Sequence, residues 1–281
     1  MGKAPCLRML FAAIVGANER VGTDSMRHHL AAWMLAAAAV LAGCSAVPVP
    51  GGGSELQGNP WTNPGTTAAT PAAPSARWDH LTFPGKAASK FSYARKDGRD
   101  AIAAIAASSA SMLRRKVRIE HDELGSVRFS WKVPELIAEA DMATRDADDS
   151  PVRIILAFEG DRSRLSARDS MLSELALTLT GEEMPYATLM YVWCNKREPG
   201  SVITSARTGR VRAIVMESGP RRLGQWLDYE RNIRADFERA FGETPGALVG
   251  IAVMTDSDNT RTTARAWYGP VSLGPPSGPR H

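Results

Sequence analysis

Val127-Arg128-Phe129-Ser130-Trp131-Lys132-Val133 carries apolar side chains at every odd position and polar ones at every even position, the period of a half-buried β-strand rather than of a helix. Just upstream, Leu113–Glu120 alternates in the same way, and His121–Gly125 supplies turn chemistry between the two, so the pair is expected as a β-hairpin. Placing the turn at residues 122–124 sets Arg118 opposite Arg128, Lys116 opposite Ser130 and Arg114 opposite Lys132. Like charges that oppose each other across strands are destabilising, so the row calls either for acids such as Glu217, Asp228 and Glu230 or for an anionic ligand.

Working outward, short strands are expected at 90–95, 100–106, 152–159, 188–194, 202–205, 211–217, 248–254 and 264–273, with helices at 166–180 and 225–241. The second helix stops at Gly242, as a helix C-terminus should. Many short strands with one or two helical insertions predict an all-β domain, an antiparallel β-sandwich of jelly-roll type. The alternative is an α+β domain with a single sheet. The domain runs over 78–275, with a tail at 276–281.

The N-terminal third is of a different kind. Met26-Arg27-His28-His29 followed by the apolar Leu30–Leu41 reads as a secretory signal, and Leu41-Ala42-Gly43-Cys44 as a lipobox. Residues 1–43 are then a leader whose true start is Met26, since Glu19 and Asp24 do not belong in a basic n-region. Cys44 becomes the lipidated first residue, and residues 44–77, rich in Pro, Gly, Ser and Thr, are expected to be a disordered tether. With Ser45 after the cysteine, the expected location is the outer membrane, facing the periplasm. Loss of the leader removes four cations (Lys3, Arg8, Arg20, Arg27) and two acids (Glu19, Asp24) from the 34 basic and 30 acidic side chains, leaving a chain near neutrality. No nucleic-acid partner is suggested. The partners expected are the membrane, through the lipid, and a glycan or an envelope protein. Cys194, in the apolar run Tyr191-Val192-Trp193-Cys194, reads as a small buried hydrophobe.

Several clusters are chemically suggestive. Asp256-Ser257-Asp258-Asn259 ends an apolar strand and has two readings, an Asx-turn loop that satisfies its own backbone or a structural calcium site using Asp256, Asp258 and Asn259. No other cofactor is expected. Arg115 falls on the inward face of its strand and needs an anionic partner, for which Asp148 or Asp149 is available. Glu230 and Arg234 are four apart in the expected helix and form a favourable pair. Trp267 and Arg265 share a strand face, which leaves Trp267 either a partly exposed stacking platform or covered by a helix or the tether. With Trp193 and the Asp256–Asn259 loop, these are the candidate ligand contacts. Serine-hydrolase, zinc and phosphate-loop signatures are absent from the sequence. A carboxylate-pair glycan hydrolase drawing on Asp149, Glu217, Glu230 or Asp256 survives, because two acids can converge without a local signature.

One family resemblance covers most of the body. It rests on Ser130-Trp131-Lys132-Val133, on Asp148-Asp149-Ser150-Pro151-Val152-Arg153 leading to Phe158, and on Tyr191-Val192-Trp193. It continues through Trp226, Glu230, Arg231, Asn232, Asp236 and Phe237 before Phe241-Gly242, and through Met254-Thr255-Asp256-Ser257-Asp258-Asn259-Thr260 with Ala266-Trp267-Tyr268. In these the chain resembles a bacterial family of secreted proteins, domain of unknown function 3047. The resemblance implies a sandwich like those of carbohydrate-binding modules and assigns no activity, substrate or catalytic residue. The leading expectation is a non-enzymatic, lipid-anchored envelope protein that binds a ligand, with a glycan as the candidate. The alternatives are the hydrolase and a purely structural envelope component.

Overall fold

The computed structural model describes residues 78–275; the leader, Cys44, the tether and the tail lie outside the described residues. Thirteen strands and two helices follow one another. The strands are β1 (Asp79–Thr82), β2 (Lys90–Lys96), β3 (Arg99–Ala107), β4 (Ala110–Ile119), β5 (Ser126–Lys132), β6 (Ser150–Phe158), β7 (Ala187–Cys194), β8 (Val202–Thr204), β9 (Val211–Ser218), β10 (Trp226–Asn232), β11 (Leu248–Asp256), β12 (Thr263–Tyr268) and β13 (Ser272–Leu273). Helix α1 (Ala167–Thr180) joins β6 to β7, and α2 (Ile233–Phe241) joins β10 to β11. The first sheet has the order β1-β4-β11-β6-β7-β9-β8, and the second β10-β5-β12-β3-β2 with β13 also against β5. All pairings are antiparallel except that of β7 with β9. This is the expected β-sandwich with two helical insertions, and the single-sheet alternative falls.

Alternation explains why β5 lies where it does. Val127, Phe129, Trp131 and Val133 are each at most 3% exposed and pack in the layer between the sheets. Phe129 meets Trp131, Tyr191 and Tyr229 with ring centroids 5.1–5.3 Å apart, an aromatic cluster whose members each bury on the order of 200 Å².

The expected hairpin of β4 with β5 does not form. β4 lies between β1 and β11 in the first sheet, whereas β5 lies between β10 and β12 in the second. Residues 121–125 carry the chain from one layer to the other. Period 2 fixes which side chains face inward, and Leu113 and Phe129 do so from opposite sheets; it does not fix the partner strand. The row of opposed cations therefore never arises. Arg114 stands beside Ala252 and Lys116 beside Gly250, while Arg128 opposes Glu230, a favourable cross-strand pair.

The helix expected from Gln225 begins only at Ile233. Its first half is β10, in which Leu227 is buried and Tyr229 half-buried while Asp228 and Glu230 are exposed. Asn232 caps α2 by accepting from the Ala235 N–H, and Gly242, at φ 68°, ends it. A free edge of β5 and a core for Leu227 and Tyr229 to fill outweigh helix propensity here. Similarly, the expected strand 264–273 is broken into β12 and β13 at Gly269-Pro270, since proline has no N–H to give the ladder. A Cβ on Gly269 would come within 2.1 Å of Ser130 Oγ, so a larger residue there would force the Ser130 hydroxyl to turn away.

Candidate functional site

The outward face of the second sheet gathers the even positions of β5 and β10. Register sets Trp226 opposite Lys132 on one side and Trp267 opposite Lys132 on the other, so the two indoles flank one ammonium in a row across three strands. The tip of the β2–β3 hairpin meets this row. Its two-residue tip, Asp97-Gly98, has φ of 51° and 78°, the left-handed values that a tight hairpin turn demands. The turn brings Lys96 over the Trp267 ring at 4.8 Å and Arg99 over the Trp226 ring at 5.2 Å, while Lys132 Nζ donates to Asp97 at 2.5 Å.

Beside the row lies a groove of about 630 Å³ lined by Arg99, Asp100, Arg128, Ser130, Asp228 and Glu230 and walled by Gly269 and Pro270. Every exposed ion in it has a partner. Arg99 Nη1 donates to both oxygens of Asp228 at 2.8 and 3.0 Å, Arg128 meets Glu230 at 3.0 Å, and Asp100 accepts from Tyr93 Oη at 2.8 Å. The Arg128 guanidinium, and then the Ser126 hydroxyl, hold the Glu230 carboxyl below the ordinary range. Glu230 is thus an acceptor with no proton to give, the reverse of the raised carboxyl that a general acid needs.

A second polar centre joins the end of β11 to the segment before β6. Carboxylate oxygens of Asp149, Asp256 and Asp258 lie within 4.8 Å of one another. Asp149 accepts from Asn259 N and Nδ2 at 3.2 and 2.9 Å and from Thr260 N and Oγ1, both at 2.7 Å. Arg153 donates to Asp256 and also to Asp148 Oδ1 at 3.1 Å, Lys86 bonds Asp258, and Asn259 Oδ1 accepts from Arg207 at 3.3 Å. The oxygens that would ligate calcium are engaged by the protein's own cations and loop N–H groups. Burial, reinforced by Asp149 and Asp148 and opposed by Arg153, pushes Asp256 up to about 6.

Several expected site residues stand elsewhere. Trp193 is 1% exposed, its Nε1 donating to Gly219 O at 3.0 Å, because it shares with Leu189 and Tyr191 the face of β7 turned to the core; it is core and not a ligand contact. Arg115 does face inward, but it lies over Trp78 at 5.4 Å. The cation that takes Asp148 is Arg153. Glu230 and Arg234 straddle the end of β10 and make no pair; Arg234 donates to His121 O. Trp267 is half-buried and Arg265 exposed on the same face. Cys194 is buried. Of the acids of the hydrolase reading, Asp149 and Asp256 meet, whereas Glu217 and Glu230 stand apart. Glu217 is buried where it accepts from Tyr229 Oη at 2.6 Å and Arg222 at 2.7 Å, on the opposite side of β10 from Glu230, and Asp149 and Asp256 are enclosed in the polar centre. Lys132 enters the sequence reading as one of a row of cations and Trp226 through the family resemblance, and the hairpin tip does not enter it, although Asp97-Gly98 is a strong turn signal.

Among the described residues, no helix is long and apolar enough to cross a membrane. Residues 76–272 match a family described as "Protein of unknown function (DUF3047)". No curated protein matches the chain. Solved structures with a similar course include a thermostable cellulase derived from the Cel12A cellulase of Rhodothermus marinus (10% identity, 70% of this chain and 90% of that one, TM-score 0.41). Another is the family 11 carbohydrate-binding module of the cellulase Lic26A-Cel5E of Clostridium thermocellum (9%, 73% and 91%, 0.35). A third is the xyloglucanase domain of the effector NopAA from Sinorhizobium fredii (8%, 70% and 92%, 0.37).

Proposed function

The chain belongs to the DUF3047 family of proteins of unknown function, and from the geometry of its second sheet we propose that it is a non-enzymatic glycan-binding module held at the cell envelope by a lipid on Cys44. The observation that carries the reading is the row Trp226, Lys132, Trp267 beside the groove of paired ions. A sugar ring offers an apolar face for stacking on indole and a rim of hydroxyls that both donate and accept. The groove has the matching groups, guanidinium donors at Arg99 and Arg128 and carboxylate acceptors at Asp228 and Glu230. Because these ions are already paired, the site does not ask for a charged ligand. The engagement of Asp149 and Asp256 by the protein's own donors, and the placing of Glu217 and Glu230 on opposite sides of β10, favour binding over hydrolysis. For the envelope location the support is the sequence Leu41-Ala42-Gly43-Cys44.

The test is calorimetric titration of the mature chain, with Cys44→Ser to keep it soluble, against cello-, xylo- and chito-oligosaccharides and peptidoglycan fragments. One of them should bind, at least tenfold more weakly after Trp267→Ala and after Trp226→Ala, with no release of reducing ends. Binding that survives both substitutions, or none throughout the panel, would overturn the proposal and favour a structural envelope role.

A further inference from the structure

Helix α1 carries Met171, Leu172, Leu175, Ala176, Leu177 and Leu179 among its fourteen residues, yet Ser173 is the one residue of it that is buried. Met171, Leu175 and Leu179 recur every four residues and form an exposed stripe, and with Leu177 they make up four of the seven large hydrophobic side chains exposed among the described residues. An apolar stripe left uncovered on an otherwise well-packed domain marks a contact surface.

We propose that this stripe rests on a lipid bilayer, with α1 lying flat in the headgroup layer. The placement of α1 argues for that partner. Just past the helix, Glu182 binds Arg114 at 2.5 Å and Lys116 at 2.8 Å. Arg114 pairs in register with Asp79, the first residue of β1. The C-terminal end of α1 is therefore fastened to the sheet edge at which the chain arriving from Cys44 enters the domain. The 33 residues from 45 to 77, even drawn out in full at about 3.3–3.6 Å each, keep the domain within about 120 Å of Cys44, so the anchor holds the helix at one surface. Fourteen residues span about 21 Å, too short to cross but well suited to lying in the interface. Arg114 also faces away from the sandwich interior, on the side opposite the second sheet, so a domain seated through α1 turns the Trp226–Trp267 groove away from its own membrane. The proposal rests on the reading of Cys44 as a lipid anchor for the choice of partner, and on α1 alone for the contact.

Co-flotation of the mature Cys44→Ser chain with vesicles of phosphatidylethanolamine and phosphatidylglycerol isolates the helix from the lipid. The parent should float, and the triple variant Met171→Gln, Leu175→Gln, Leu179→Gln should lose at least tenfold in bound fraction at an unchanged melting temperature, since none of the three is buried. Leu175→Trp should bind at least as well as the parent and shift its fluorescence to the blue on vesicles. No flotation of the parent, equal flotation of both, or a concentration-dependent dimer abolished by the triple variant would overturn the proposal, the last in favour of a second copy of the chain. The anchor is read separately, from the mass of Cys44-bearing protein extracted from membranes, so the failure of one reading is distinguishable from the failure of the other.

Discussion

Arg153 holds Asp256 with two hydrogen bonds, Nε to Oδ1 and Nη2 to Oδ2, each 2.9 Å, and neither side chain is more than 5% exposed. Nη2 also bonds the Asp148 carbonyl at 2.8 Å, so one guanidinium fastens the end of β11 to the start of β6. A charge taken out of water costs several kcal/mol unless its partner stays. Arg153→Met with the acids retained should therefore destabilise the domain by about 3–5 kcal/mol, a fall of roughly 10 °C or more in melting temperature. A melting temperature within a degree or two of the parent would show that the pair holds nothing together.

The same pair fixes a slope in stability against pH. Burial raises the folded-state value of Asp256 from the ordinary 3.8 to about 6, so over that window the folded chain binds more protons than the unfolded one. Its contribution is then complete below about pH 3.8 and is lost as pH rises through about 6. Denaturant unfolding at half-unit steps should show this decline, and Asp256→Asn, whatever its own cost, should flatten it. An unchanged slope in the variant would assign the decline to another group.

Glu182 tilts the curve the other way at lower pH. Hydrogen bonds from Arg114 and then Lys116 depress its carboxyl from 4.5 to about 2, so its contribution is present above 4.5 and lost as pH falls through about 2. The side chain is 45% exposed, so screening keeps the gain below about 1 kcal/mol. Glu182→Gln should cost that little at pH 7 and remove the slope between pH 4.5 and 2, and its effect should shrink in 1 M salt. A loss of several kcal/mol that salt does not change would contradict the surface-pair account.

What the sequence made legible follows from what a local pattern can encode. The alternation over 127–133 records which side chains face the core, and that part holds for β5 residue by residue. Nothing local records that β4 crosses to the other sheet, because partner choice depends on segments far along the chain. Trp226–Asn232 satisfies a helical spacing through Glu230 and Arg234 and a strand spacing through Leu227 and Tyr229, and only the open edge of β5 decides between them. The arginine of the polar centre was misassigned for a similar reason: Arg115 and Arg153 both sit among apolar neighbours in strands, and only the fold brings Asp148 and Asp256 to the latter. The groove itself is assembled from β3, β5, β10 and the residues after β12, a combination that no single segment could announce.

The two tryptophans put forward from sequence as ligand contacts separate most sharply under mutation. Trp193 and Trp267 both lie in apolar strands, but Trp193 faces the core between the sheets, whereas Trp267 faces outward against the hairpin tip. Trp193→Ala removes a fully buried ring and the partner of the Gly219 carbonyl, and should cost about 3–5 kcal/mol. Trp267→Ala empties a half-buried position whose ring contact is the Lys96 ammonium, an attraction of roughly 0.5–1 kcal/mol at an exposed site, so the fold should lose little. Ligand affinity should respond in the opposite order, falling at least tenfold for Trp267→Ala and staying within a factor of two for the conservative Trp193→Phe. Melting curves and titrations of the two variants against the same oligosaccharide check both halves. A stable Trp193→Ala protein that no longer binds would move the site to the first sheet.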